Sequence, residues 1–310
     1  MSKYAFVFPG QGSQAVGMLA DVAEQFSVVR ETFAEASEVL GYDLWSVVSN
    51  DADNRLNQTE VTQPAILTAS VALFRSLKGP SPAVFAGHSL GEYSALVCAG
   101  ALKFTDAVRL VELRGRAMQA AVPAGTGAMA AVIGLEDAAI ELACKEAAGQ
   151  EVVAPVNYNS PGQVVIAGHK AAVERAAEAC KAAGAKRVLP LPVSVPSHCA
   201  LMQPAAKELA AALASIDIQV PNVPVIHNVN VNVATQVNDI RQALVEQLYS
   251  PVRWTETVQR MGQDGIETLY EVGPGKVLTG LTKRINKALN GQALGDAASV
   301  ASFNETSNVE

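Results

Sequence analysis

The sequence is poor in the features that usually assign a protein quickly. Its four cysteines, Cys98, Cys144, Cys180 and Cys199, stand far apart with no C-x-x-C pair. That spacing excludes a disulfide scaffold and a zinc-ribbon pattern, and it fits reduced thiols in the cytoplasm. No uncharged apolar run reaches bilayer-spanning length, so no membrane contact is expected. Met1-Ser2-Lys3-Tyr4 leads straight into a short apolar run, so a cleavable signal segment is not expected either. Positive charge is scarce and scattered. With a net charge of −7 and no basic tail, nucleic acid is an improbable partner. What the chain does have is apolar bulk: 49% of its 310 residues are hydrophobic and 17% charged. That is enough for a large core, in one big domain or two smaller ones.

The most informative stretch is Ala83-Val84-Phe85-Ala86-Gly87-His88-Ser89-Leu90-Gly91-Glu92-Tyr93. It reads as a short buried strand, a sharp turn and a helix, with Gly87-x-Ser89-x-Gly91 at the turn. This is the pattern of a nucleophile elbow. A serine hydroxyl is a weak nucleophile and must stand where a base reaches it. The tight turn exposes it, and glycine two residues to either side removes side chains that would collide. The amide of Leu90 is then aimed at a developing oxyanion, beside the positive end of a helix. Taken alone, the five-residue pattern is equally compatible with a structural turn.

The order of elements suggests two units. Tyr4 to Phe8 reads as a strand and Pro9 to Gln14 as a glycine-rich loop, a second candidate arm of an oxyanion hole or a plain strand-to-helix turn. Helices are predicted over Asp21 to Leu40 and Leu44 to Ser49, and from a Thr62 N-cap through Leu77. After Gly125 the period changes. Ala128 to Leu191 reads β-α-β-β-α-β, with a turn at Asn159 to Gly162, the split pattern of a ferredoxin-like module. The expected organisation is a large α/β domain with a hydrolase-like parallel sheet, residues 1–125 and 194–310, carrying an inserted small domain at 126–193. Later predictions are a helix over Leu201 to Ser215, a strand over Val223 to Val229, a helix over Asp239 to Tyr249, a strand over Thr268 to Val272, and one more strand near Ser299 to Phe303.

Two further residues stand out on physical grounds. In the helix predicted from Thr105 to Ala121, Arg114 falls in the middle of the apolar arc, whereas Arg109 and Arg116 fall opposite. A cation there needs an anion: an internal carboxylate, or a substrate carboxylate gripped in a bidentate fork. Of the four histidines, His88 should point away from its neighbour Ser89, His169 looks superficial and His227 structural. His198 follows the proposed insert in a proline-bounded loop, C-terminal to the serine, and suits a general base. No acid between Ser89 and His198 sits where a triad needs it, which favours a Ser–His dyad with the ring held by a backbone carbonyl.

Five segments together resemble a known family. Phe8-Pro9-Gly10-Gln11-Gly12, Gly87 to Tyr93, Arg114-Gly115, Val195-Pro196-Ser197-His198 and Glu271-Val272-Gly273-Pro274-Gly275 look like the bacterial malonyl-CoA:acyl carrier protein transacylases of type II fatty acid synthesis. The likeness runs in order from about residue 3 to residue 290. It implies that Ser89 carries the malonyl group as an ester, that His198 is base and then acid, and that Arg114 binds the malonyl carboxylate. It further implies that the amides of Gln11 and Leu90 form the oxyanion hole. The backbone carbonyl of Gln247 would orient His198, and Asn159 would lie near the acyl-donor cleft. Neither a cofactor nor a metal is implied; malonyl-CoA is a substrate, acyl carrier protein the partner, and a monomer is expected. Carrier proteins of this family are acidic, so docking would need a local basic patch, with Lys181, Lys186 and Arg187, or Lys276, Lys283 and Arg284, as candidates. A thioesterase or esterase using the same serine, and a non-catalytic docking module, are the alternatives.

Overall fold

The computed structural model describes residues 3–193 and 195–307. Ser194, the expected point of return to the larger unit, lies outside the described residues. Strands are numbered in chain order. β1 (Tyr4–Phe8), β2 (Val84–Gly87), β7 (Val225–Ile226), β8 (Thr268–Val272) and β9 (Asn290–Leu294) form one sheet in the order β7-β2-β1-β8-β9. All four of its ladders are parallel, with Phe6 opposite Phe85 and Tyr270. Helices cover both faces, so β1 and β2 are apolar throughout rather than alternating. On one face Phe6, Phe74 and Phe85 pack together, the Phe6 and Phe85 rings stacked at 5.9 Å.

β3 (Gly127–Ile133), β4 (Val153–Ser160), β5 (Gln163–His169) and β6 (Arg187–Pro190) form a second, antiparallel sheet in the order β4-β5-β3-β6. The helices Asp137–Ala148 and Lys170–Ala182 pack on one face of it. Its edge strand β4 is stitched to the larger unit by backbone bonds. Tyr158 donates to Val252 O at 3.0 Å and Val252 donates to Val156 O at 2.8 Å.

Several predicted elements differ. The helix expected over Asp21 to Leu40 breaks at Phe26, whose extended backbone (φ −126°) separates Ala20–Gln25 from Ser27–Leu40 and lets its ring pack on the core. Thr62 is not an N-cap: the helix runs Thr59–Ser76, and the Thr62 hydroxyl donates to the carbonyls of Leu56 and Gln58. The strand expected over Val223 to Val229 is only Val225–Ile226, because the chain turns at His227, whose carbonyl accepts from Val231 N. The Asn159 to Gly162 turn is tighter than expected, since β4 continues to Ser160. The strand expected near Ser299 to Phe303 is a helix, Ala297–Ser307. Asp296 starts it by accepting from Ser299 N at 2.8 Å, and Phe303 lies against Tyr4 and Tyr270.

What matters for function is the carboxyl edge of the parallel sheet. β2, β1 and β8 are adjacent, so the loops that follow them, at Gly87–Gly91, Pro9–Gly12 and Gly273–Gly275, emerge side by side. This is where open parallel sheets form a crevice.

Candidate active site

The turn after β2 shows why the glycines are there. A side chain on Gly87 would come within 1.9 Å of the Gly91 carbonyl carbon, and one on Gly91 within 2.0 Å of Phe8 O. With both absent, the helix Gly91–Cys98 starts directly against the end of β1. Ser89 is forced into the left-handed region at φ 53°, a conformation costly for a residue with a Cβ. Asn228 stabilises it from both sides: its Nδ2 donates to Gly87 O at 2.7 Å and its Oδ1 accepts from Ser89 N at 2.8 Å.

The left-handed turn points the Ser89 hydroxyl at His198. Oγ and Nε2 are 2.7 Å apart, and Nδ1 donates to the backbone carbonyl of Gln247 at 2.7 Å. That second bond fixes the tautomer, leaving Nε2 as the acceptor. His198 also has a positive φ, 62°, and its own amide donates to Leu248 O at 3.0 Å. The end of the helix Val237–Gln247 thus holds both ring and backbone. Burial, helped by the nearby Arg114 charge, pushes the His198 pKa down from 6.5 to about 3. The ring is therefore neutral, the form that accepts a proton.

Arg114 is 1% exposed, and its guanidinium enters the same cleft. Nη1 donates to Gln63 Oε1 at 2.9 Å, Nη2 to Gln247 Oε1 at 2.9 Å, and Nη2 approaches Ser89 Oγ at 3.4 Å. No carboxylate forms an ion pair with it among the described residues, so the internal-carboxylate alternative is not realised. By contrast Arg109 and Arg116 are exposed and pair with Asp106 and Glu112 on their own helix.

Four of the sequence-predicted residues therefore meet: Ser89, His198, Arg114 and Gln247. Gln11 and Leu90 also line the cleft, which has a volume of about 500 Å³. The two loops are tied by His88 N donating to Phe8 O at 3.0 Å, and neither the Gln11 nor the Leu90 amide donates elsewhere among the described residues. Asn159 stands near the cleft, behind His88, but does not itself line it. Its Oδ1 meets His88 Nε2 at 2.8 Å, turning His88 away from Ser89, and the asparagine of β4 that lines the cleft is Asn157. Burial lowers the His88 pKa, so that ring too is neutral. His169 is half-buried rather than superficial, and its Nδ1 accepts from Val152 N.

Sequence reasoning missed Gln63, Glu92 and Asn228. Glu92 is completely buried and accepts from His227 Nδ1 at 2.7 Å, from Asn228 N at 2.9 Å and from Gln247 Nε2 at 2.9 Å. The available signal was a polar residue inside an otherwise apolar run: Gln63 before Ala65-Ile66-Leu67, and Glu92 before Tyr93 to Leu96. The same environment accounts for His227 as a structural residue.

The family model for the acyl transferase domain matches residues 5–304. The malonyl CoA-acyl carrier protein transacylase of Escherichia coli is 64% identical over 304 residues, 97% of this chain and 98% of that one. The protein of the same name in Bacillus subtilis is 46% identical, covering 97% and 96%. Among solved structures, the acyl carrier protein S-malonyltransferase of Vibrio cholerae superposes with a TM-score of 0.95 at 65% identity, covering 97% of this chain and 99% of that one. A malonyl-transacylase solved in complex with a type II polyketide acyl-carrier protein gives 0.97 at 59% identity, covering 98% and 100%.

Proposed function

The chain belongs to the acyl transferase domain family, and from that membership we propose that it moves a malonyl group from malonyl-CoA to the pantetheine thiol of acyl carrier protein. One observation carries the reading: a buried guanidinium with no ion-pair partner among the described residues stands 3.4 Å from a serine hydroxyl that is itself bonded to a neutral histidine. A carboxylate on the acyl group supplies the missing anion and sets the thioester carbonyl beside the nucleophile.

Two half-reactions follow. Ser89 Oγ attacks the thioester carbonyl while its proton passes to His198 Nε2. The resulting oxyanion is received by the amides of Leu90 and Gln11. The C–S bond breaks, CoA leaves as its thiol with the proton from His198, and a malonyl ester remains on Ser89. The carrier's thiol then attacks that ester, His198 takes the S–H proton, and Ser89 leaves and recovers it. The carbonyl of Gln247 does for the imidazole what an acid does in a triad. Nothing in this sequence of steps calls for a metal or redox cofactor.

The larger unit, residues 1–125 and 194–310, reads as hydrolase-like, since its serine stands on a strand–turn–helix elbow. The smaller, 126–193, reads as ferredoxin-like; in its own numbering the sheet order is 4-1-3-2 with every ladder antiparallel. The basic side chains Lys186, Arg187, Lys276, Lys283 and Arg284 are exposed and suit an acidic carrier, whereas Lys181 is already paired with Glu178.

The test is intact mass after mixing with malonyl-CoA. A malonyl adduct is expected on the parent and none on Ser89→Ala. It should persist for minutes without a thiol and vanish when a carrier thiol is added. Rapid loss to water alone would instead indicate a thioesterase.

A further inference from the structure

Arg114 is almost fully buried, yet its contacts are to neutral oxygens. Burying an unpaired cation is expensive. The nearest fully buried carboxylate in the hydrogen-bond network is Glu92, reached through one side chain. Gln247 Nε2 donates to Glu92 Oε2 at 2.9 Å and to Ser89 O at 3.0 Å, while its Oε1 accepts from Arg114 Nη2 at 2.9 Å. The chain is thus carboxylate, amide, guanidinium. Glu92 accepts from three N–H donors, which is the bonding of an ionised carboxylate.

We propose that Glu92, anchored by His227 and Asn228, is a positioning residue for substrate selection: it balances the Arg114 charge through the Gln247 amide and fixes the direction of that amide. This rests on the reading of Arg114 as the seat of the substrate carboxylate.

The geometry supplies two reasons. First, an acceptor-only carboxylate beside Gln247 forces the amide NH₂ toward it, and so the amide oxygen toward Arg114. Were the amide reversed, its NH₂ would face the guanidinium, donor against donor. Second, the intervening amide prevents direct pairing. A carboxylate in contact with Arg114 would quench the charge, and a diacid thioester would have to displace it. At one remove, Glu92 supports the cation while leaving its open side to the substrate. Burial pulls the Arg114 pKa below its usual value, and Glu92 is among the groups that push it back.

His227 completes the anchor. It is 1% exposed; its Nδ1 donates to Glu92, and the next residue supplies the Asn228 amide to the other carboxylate oxygen. The same Asn228 side chain holds the Ser89 backbone. Base, selector and nucleophile are thereby referred to one buried anion.

The experiment is single-turnover acylation by malonyl-CoA and by acetyl-CoA, which lacks the carboxylate, read by intact mass. In Glu92→Gln the malonyl-to-acetyl rate ratio should fall about tenfold or more, the scale of one lost hydrogen bond to a charge. Gln247→Met keeps the backbone carbonyl for His198 but removes the amide link, and the ratio should fall similarly. In an Arg114→Ala background Glu92→Gln should leave the ratio unchanged, since the two act through one contact. Equal slowing of both thioesters, or a ratio within about twofold of the parent, overturns the proposal. If Glu92→Gln does not fold, Gln247→Met decides by the same two outcomes. A parent with no malonyl preference would strike at the proposed function itself; a parental preference that survives both variants strikes only at Glu92.

Discussion

The two walls of the cleft are built on different principles. One, at the edge of the parallel sheet, holds Ser89, His198 and Arg114 among buried groups joined by hydrogen bonds. The other, from the antiparallel sheet, offers Met129 and the loop Leu191 to Val193, uncharged and mostly apolar, with the neutral amide of Asn157 beside them. The small sheet ends in an exposed edge strand, where Leu189 is 44% accessible, and reaches the larger unit mainly through β4. The difference teaches that reactivity is set from one side. The polar wall must be rigid, because each of its groups has one productive direction. The apolar wall needs only to exclude water and let a long thioester pass.

The comparison breaks most completely if the polar wall loses its base. His198→Ala should slow malonyl-enzyme formation by roughly 10²–10⁴-fold, the range of a general base, with little change in malonyl-CoA affinity. A stopped-flow or quench measurement yielding less than about tenfold would remove His198 from the mechanism. Next comes the selector. Arg114→Ala should cost malonyl transfer about 2–5 kcal/mol, since a buried charge contact is lost and two glutamine oxygens are left unpaired. Acetyl transfer should suffer far less. A variant that moved both groups in the parental ratio would make Arg114 a structural residue.

A pH series sharpens the same contrast. An ordinary histidine, with pKa near 6.5, is mostly protonated at pH 5.5 and would lose about tenfold of its base form. His198, pushed down to about 3, keeps it, so acylation should stay flat from pH 7.5 to 5.5. An apparent pKa near 6.5 in the acylation rate would contradict the burial argument. Stability should move the other way. With the folded pKa below the unfolded one, only the unfolded chain gains the proton as pH falls through 6.5 toward 3, so this residue lowers stability across that window and has no effect above it.

How much of this was legible in the sequence depends on range. The elbow is local: strand, turn and helix lie within eleven residues, so glycine spacing and apolar runs suffice. Arg114 was legible because one helix period shows a cation on an apolar arc. Glu92 and Asn228 were not, because what defines them are contacts to residues 135 to 155 positions away, and no spacing rule says which helix faces meet. The C-terminal segment failed for another reason. Asn290 to Leu294 has little strand propensity and is a strand because β8 offers it a ladder. Ser299 to Phe303 looks strand-like, but the Asp296 cap starts a helix.

The smallest effect is expected on the apolar wall. Val193 is 36% exposed and lines the cleft without a polar contact to the reacting groups. Val193→Ala removes two methyl groups from a side chain already about a third in water, so the loss of burial is a fraction of the about 1.5–3 kcal/mol for a fully buried side chain. It should therefore raise KM for malonyl-CoA by less than about fivefold and leave kcat for malonyl transfer within about twofold. Steady-state kinetics decide the point. A kcat loss comparable to that of His198→Ala would mean that this wall also positions the reacting atoms, and the division of labour between the two sheets would fail. A KM change alone would mark it as the surface along which the thioester arm slides to a chemistry fixed elsewhere.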